Sequence, residues 1–233
     1  VSDHLTEEEQ LETMKRWWKE NGKWIVTAVV LGVGGYFSWG AWQDQQAAKA
    51  QAGSALYTEL LDTLEVEEGA ALAEGGRSHA EELVEQLKAE HGRSAYGVNA
   101  ALIRARWAVS DSELDRAAEE LRWVLEQRPK SAVEQLTRLR LARVLAAKGD
   151  AQAALNVLQE KSPAPSMVSE FDEVRGDILL KQGDTDGARE AYESALSALD
   201  EQDQNRYMLL QMKLDDLQQA STQALSGSEE SAS

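Results

Sequence analysis

ARVLAAKGDAQAALNVL at residues 142–158 and GDILLKQGDTDGAREAY at residues 176–192 decide the architecture of this chain. Gly149-Asp150 recurs as Gly183-Asp184, 34 positions on, and the same offset pairs Ala142 with Gly176, Leu145 with Leu179, Ala154 with Ala188 and Leu158 with Tyr192. Small residues recur where two helices would touch, and large ones where a pair would bury its core. A period of this length is a helix-turn-helix unit whose copies must stack to bury a continuous interior.

An earlier copy places Ala105, Ala108, Ala117, Leu121, Val124 and Pro129 in the corresponding positions, but its offset to the next copy is 37. The three extra residues are assigned to a turn around Ser131 to Glu134. The spacing is that of tetratricopeptide repeats, so residues 93–200 read as three such repeats. Before them, residues 44–92 form a long helix from Gln43 to Val66 and a degenerate helix pair. Gly75-Gly76 is expected to break the chain there. A helix from about Ser78 to Glu90 then opens with Ser78 and Glu81 as a capping box and stops at Gly92. After the repeats, residues 201–218 predict a capping helix that carries Tyr207, Leu210, Met212, Leu214 and Leu217, and residues 219–233 predict a disordered tail. Three prolines and an abundance of strong helix formers make the chain all-α.

Trp24 to Gln43 carry no charge, in a chain with 28% charged residues. The apolar body from Trp24 to Trp42 would span roughly 27 Å at about 1.5 Å per residue, so residues 24–43 read as one transmembrane helix. Trp17, Trp18 and Trp24 sit at one end and Trp39 and Trp42 at the other, where headgroup layers favour such rings. Lys15, Arg16, Lys19 and Lys23 flank the N-terminal side, which makes residues 1–23 a cytoplasmic tail and puts the rest of the chain outside the cytoplasm. A cleaved secretory signal ending near Ala48-Lys49-Ala50 is the competing reading; the acidic leader and Trp39 and Trp42 weigh against it. A helix of a globular core is the other alternative, and such a helix would show a polar face. Within the span, Ala28, Gly32 and Gly35 align small residues on one side, a face that a second helix can approach closely.

Composition excludes several functions. The formal net charge is −17, so a basic face for nucleic acid is lacking. There is no cysteine, and the three histidines, His4, His79 and His91, read as surface residues. No nucleophile and base, phosphate loop or metal-ligand spacing is present, so the sequence predicts no enzyme, no cofactor and no small-molecule substrate. Stacked helix pairs bind proteins instead, and the expected groove is lined by the first helix of each pair. In this register Leu102, Arg106 and Val109 come from the first repeat, Leu139 and Arg143 from the second, and Glu173 and Asp177 from the third. Arg106 and Arg143 are either ion partners for Glu173 and Asp177 or a positive patch left open.

Met14-Lys15-Arg16-Trp17-Trp18-Lys19-Glu20-Asn21-Gly22-Lys23, followed by Leu31-Gly32-Val33-Gly34, resembles the start of the YfgM family, ancillary subunits of the bacterial SecYEG translocon. The order of anchor and repeats agrees with that family over nearly the whole chain. The resemblance implies a single-pass protein of the bacterial inner membrane with a periplasmic C-terminal domain, working beside SecYEG and a PpiD-type chaperone as exported proteins are handed over. It also allows a cytosolic link to the response regulator of an envelope-stress phosphorelay. A scaffold for another envelope process, such as cell-wall assembly or division, is the alternative.

Overall fold

The computed structural model describes residues 7–65, 74–200 and 203–230. It divides into two units between Ser54 and Ala55, and one helix, α1 (Glu7–Glu65), contributes to both.

The first unit is the helix itself. No proline interrupts the chain before Pro129. Two polar side chains near the apolar run bond back to the preceding turn: the Asn21 amide donates to the Trp17 carbonyl at 3.1 Å and the Thr27 hydroxyl to that of Lys23 at 2.8 Å. A helix that satisfies its own polar groups is one of the few structures hydrocarbon tolerates. Leu31, Tyr36, Phe37 and Trp39 are exposed, and none of the apolar window is buried against protein. A core helix of a globular domain would be covered. Among the described residues this is the one helix long and apolar enough to cross a membrane.

The second unit begins with the last turns of α1 and continues through α2 (Glu74–His91), α3 (Ala95–Ser110), α4 (Leu114–Glu126), α5 (Ser131–Ala147), α6 (Ala151–Gln159), α7 (Val168–Lys181), α8 (Thr185–Ser197) and α9 (Gln204–Glu230). The described residues contain no strand. From α2 onward each helix packs on the next, and α5 also meets α7, as the first helices of consecutive repeats do in a stack. Leu60 of α1 and Leu83, Val84 and Leu87 of α2 bury one cluster together with Ala100 and Trp107 of α3. The largest cluster joins α3 to α7 through Ala105, Ala108, Ala117, Leu121, Ala142, Leu145, Ala154 and Leu158. The small residues that set the period are almost completely buried, as helix-to-helix contact requires. At the far end Leu210, Leu214 and Leu217 of α9 close the last pair against Tyr192, Ala188 and Ala195.

The structure moves four expected boundaries. Gly75 and Gly76 are the first-turn residues of α2 and not a break; that turn leaves backbone N–H groups unpaired whatever the residue, so glycine is cheap there. Ser78 is therefore inside the helix, and Glu81 is an ion partner of Arg77 and Arg116 instead of half of a capping box. The three extra residues near Ser131 to Glu134 are the first helical turn of α5. The last helix runs to Glu230, beyond residue 218; of the tail expected to be disordered, residues 231–233 lie outside the described residues.

The turns inside the three pairs have one length, residues 111–113, 148–150 and 182–184. In the second and third, Gly149 (φ +90°) and Gly183 (φ +84°) take the left-handed conformation. Asp150 then accepts from the Ala153 N–H at 3.2 Å, and Asp184 from that of Gly187 at 2.9 Å. This is why Gly-Asp recurs. In the first turn Ser112 holds φ +62° without being glycine, and Glu113 makes no side-chain cap bond. Installing Gly-Asp there through Ser112→Gly with Glu113→Asp is expected to raise stability by about 1 to 2 kcal/mol, from relief of a strained φ and gain of a cap. Chemical denaturation of the detergent-solubilised chain measures it; a double variant no more stable than the parent would mean that this turn tolerates its residues without cost.

Candidate functional site

α3 and α5 each carry two useful faces. One packs inward. The other presents Asn99, Leu102, Ile103, Arg106 and Val109 from α3 and Val133, Leu136, Arg140 and Arg143 from α5, at intervals of three and four that keep each set on one side of its helix. With Tyr57 of α1 these side chains line a groove of about 680 Å3. Its wall is mostly apolar. Val109 is 46% and Leu136 40% exposed.

The arginines on these helices divide sharply. Arg104 is buried and pairs with both Glu85 and Glu120, and Glu120 also accepts from Lys88 at 2.7 Å. The Arg104 guanidinium holds the Glu85 carboxyl below its usual range. Arg138 is buried against the end of α6. Arg106, Arg140 and Arg143 are exposed, and none has an acidic partner among the described residues. Of the two expectations for Arg106 and Arg143, ion pairs with Glu173 and Asp177 are not formed, because those acids pair with Arg206 and Lys213.

Four of the seven expected groove residues, Leu102, Arg106, Val109 and Arg143, line this groove. Leu139 does not: it is 2% exposed, inside the largest core cluster. Leu136 and Arg140 stand in the groove instead. They follow Leu102 and Arg106 by 34 positions, so the period of the later repeats would have found them; the offset of 37 selects Leu139 and Arg143. Glu173 and Asp177 lie on α7 under α9. Glu173 accepts from Arg206 at 2.8 Å and from Lys213 at 2.9 Å; Asp177 accepts from Lys213 at 2.6 Å and from the Tyr192 hydroxyl at 2.8 Å. They hold the capping helix in place.

That role predicts a pH dependence. Burial alone would push the Glu173 carboxyl up, but Lys213 and Arg206 outweigh it and hold it below its usual range. A carboxylate depressed in the folded state stabilises the fold fully above its unfolded pKa, about 4.3, and the contribution is lost as pH falls through the lower folded value. Melting temperature should therefore decline below about pH 4.5, and less steeply in Glu173→Gln at equal ionic strength. Parallel profiles for the two proteins would count against the α7 to α9 ion pairs.

On α1, Ala28, Gly32 and Gly35 are exposed, and a Cβ added at either glycine would meet nothing within 4 Å. Among the described residues no group of three His, Asp or Glu could hold a metal ion.

A tetratricopeptide repeat-like domain model matches residues 15–219. The chain is 30% identical to the ancillary SecYEG translocon subunit of Haemophilus influenzae over 91% of this chain and 98% of that protein. It is 31% identical to the Escherichia coli protein of the same name, over 82% and 88%. To that of Neisseria gonorrhoeae it is 29% identical, over 93% and 100%. No solved structure matches the chain. Matched by these relatives over most of their length and by the family model over residues 15–219, the chain belongs to the family of ancillary SecYEG translocon subunits.

Proposed function

We propose that this chain is anchored in the bacterial inner membrane beside a SecYEG translocon, with residues 1–23 in the cytoplasm and the repeats in the periplasm. There it binds segments of exported proteins or of their chaperones and helps hand the exported chain to a PpiD-type chaperone. The observation that carries this reading is the likeness to the ancillary subunits over almost the whole chain, anchor included. Lys15, Arg16, Lys19 and Lys23 favour the stated orientation. The groove between α3 and α5 suits a protein segment, and Ala28, Gly32 and Gly35 suit a neighbouring membrane helix. The acidic leader would be the part that meets an envelope-stress response regulator in the cytosol.

Co-purification tests the reading. After extraction in mild detergent, SecY and the PpiD-type chaperone are expected to accompany the tagged chain. Gly32→Leu with Gly35→Leu should keep insertion, since leucine is favoured in lipid, and should reduce their recovery severalfold. Absence of SecY from the parental preparation would overturn the proposal. Undiminished recovery with the double variant would remove the helix contact from it.

A further inference from the structure

We infer that the groove between α3 and α5 takes an acidic amphipathic segment of a partner protein, its aliphatic side chains against Leu102, Val109 and Leu136 and its carboxylates on Arg106, Arg140 and Arg143. The inference rests on the proposed reading of the repeats as a protein-binding module and adds the chemistry of what they bind.

Charge carries the argument. The chain has 41 acidic residues against 24 lysines and arginines, yet this groove is lined by three arginines and no acid. Of the neighbouring buried arginines, Arg104 holds two glutamates and Arg138 is satisfied by backbone carbonyls. Three arginines on two adjacent helices without an acidic partner among the described residues concentrate positive potential where the surroundings are negative. Guanidinium groups present planar forks that match carboxylates, so an occupant with two or three acids would be held in both position and orientation.

The apolar half of the groove sets the rest. Large aliphatic side chains left open beside those arginines favour an occupant that covers them. A groove of about 680 Å3 has room for a few side chains. A short segment with leucine-like residues on one side and carboxylates flanking them satisfies both halves. A nucleic acid would meet a protein of net charge −17 outside the groove, and a membrane surface would need a broader basic face than three residues.

The test uses the full chain in detergent micelles and a fluorescent peptide of about twelve residues, with leucines at helical spacing and glutamates beside them. Matched peptides carry glutamine or lysine at the glutamate positions, and anisotropy is read at about 0.15 M salt. The acidic peptide is expected to bind at least about tenfold more tightly than the glutamine peptide, and the lysine peptide more weakly still. Arg106→Glu, Arg140→Glu and Arg143→Glu together should weaken the acidic peptide by at least about tenfold with helicity unchanged, and the three glutamine replacements should give a smaller loss. Equal binding of acidic and glutamine peptides overturns the inference, as does full binding by a folded triple variant. Arginine-dependent capture of phosphatidylglycerol vesicles with no peptide binding overturns it in favour of a lipid surface. SecY recovery from the parental chain is scored separately: its loss would sink the translocon reading whatever the peptides do, and the peptide failures above leave it standing.

Discussion

Gly176→Ala is expected to cost the repeat domain about 3 kcal/mol, near the upper end of what overpacking a core ordinarily costs. A Cβ at this position would lie 2.4 Å from Cε1 of Tyr192 and 2.6 Å from its Cδ1. The ring has nowhere to go. It is buried among Ala188, Ala195 and the leucines of α9, and its hydroxyl is tied to Asp177. In the second repeat the corresponding pair is Ala142 and Leu158, both in the core. A larger residue on the second helix has thus been matched by a smaller one on the first. Gly176→Ala combined with Tyr192→Leu reproduces the second repeat's pair and should recover stability relative to the sum of the single changes, with a coupling of about 1 to 3 kcal/mol. Urea unfolding of the four proteins gives the cycle. If Gly176→Ala unfolds with its parent, the two residues are not in contact and the register of the third repeat is wrong.

Arg138→Met should be the more damaging change, by about 3 to 5 kcal/mol. The Arg138 guanidinium donates to the Val157 carbonyl at 3.0 and 2.8 Å, to that of Leu158 at 3.1 Å and to that of Lys161 at 2.8 Å. Carbonyls at the end of a helix have no partner within it, and α6 is short, so this one side chain finishes what the helix cannot. Its Cζ lies 5.5 Å from the centroid of the Phe171 ring. Burial lowers the pKa of the group, with Glu160 and Glu134 acting in the opposite direction, yet a guanidinium remains a cation here. Methionine would fill the volume and leave buried acceptors without donors, each costing about 1 to 3 kcal/mol. Arg138→Lys should recover less than half, because an ammonium cannot reach the same fork of acceptors. Hydrogen exchange should show α6 opening first in both variants. A methionine variant within about 1 kcal/mol of its parent would refute this role.

Both predictions concern residues whose importance the sequence shows only in part. The offset of 34 already sets Gly176 opposite Ala142 and Tyr192 opposite Leu158, but nothing in it says that the exchanges compensate each other. Arg138 is one of three arginines within six residues of α5. Periodicity cannot tell which of them turns inward, because α5 buries residues on opposite sides and has no single polar face.

The sequence by itself determined that the chain is helical, that a 34-residue unit repeats, that Gly-Asp marks its turns and that one uncharged run is long enough to cross a membrane. These are local facts: a glycine at positive φ, an aspartate at a helix start and an unbroken apolar stretch act through near neighbours in the chain. Only the tertiary structure decided which stripe of α3 and α5 stays open. Leu136 and Leu139 are three residues apart on one helix, yet one lines the groove and the other is sealed in the core, and Arg138 and Arg140 are divided in the same way. Glu173 and Asp177 were lost to the groove because α9, some thirty residues later, brings Arg206 and Lys213 to them. The choice rests on what packs against each face, and a partner that arrives from a distant part of the chain leaves no mark on the spacing of the residues it covers.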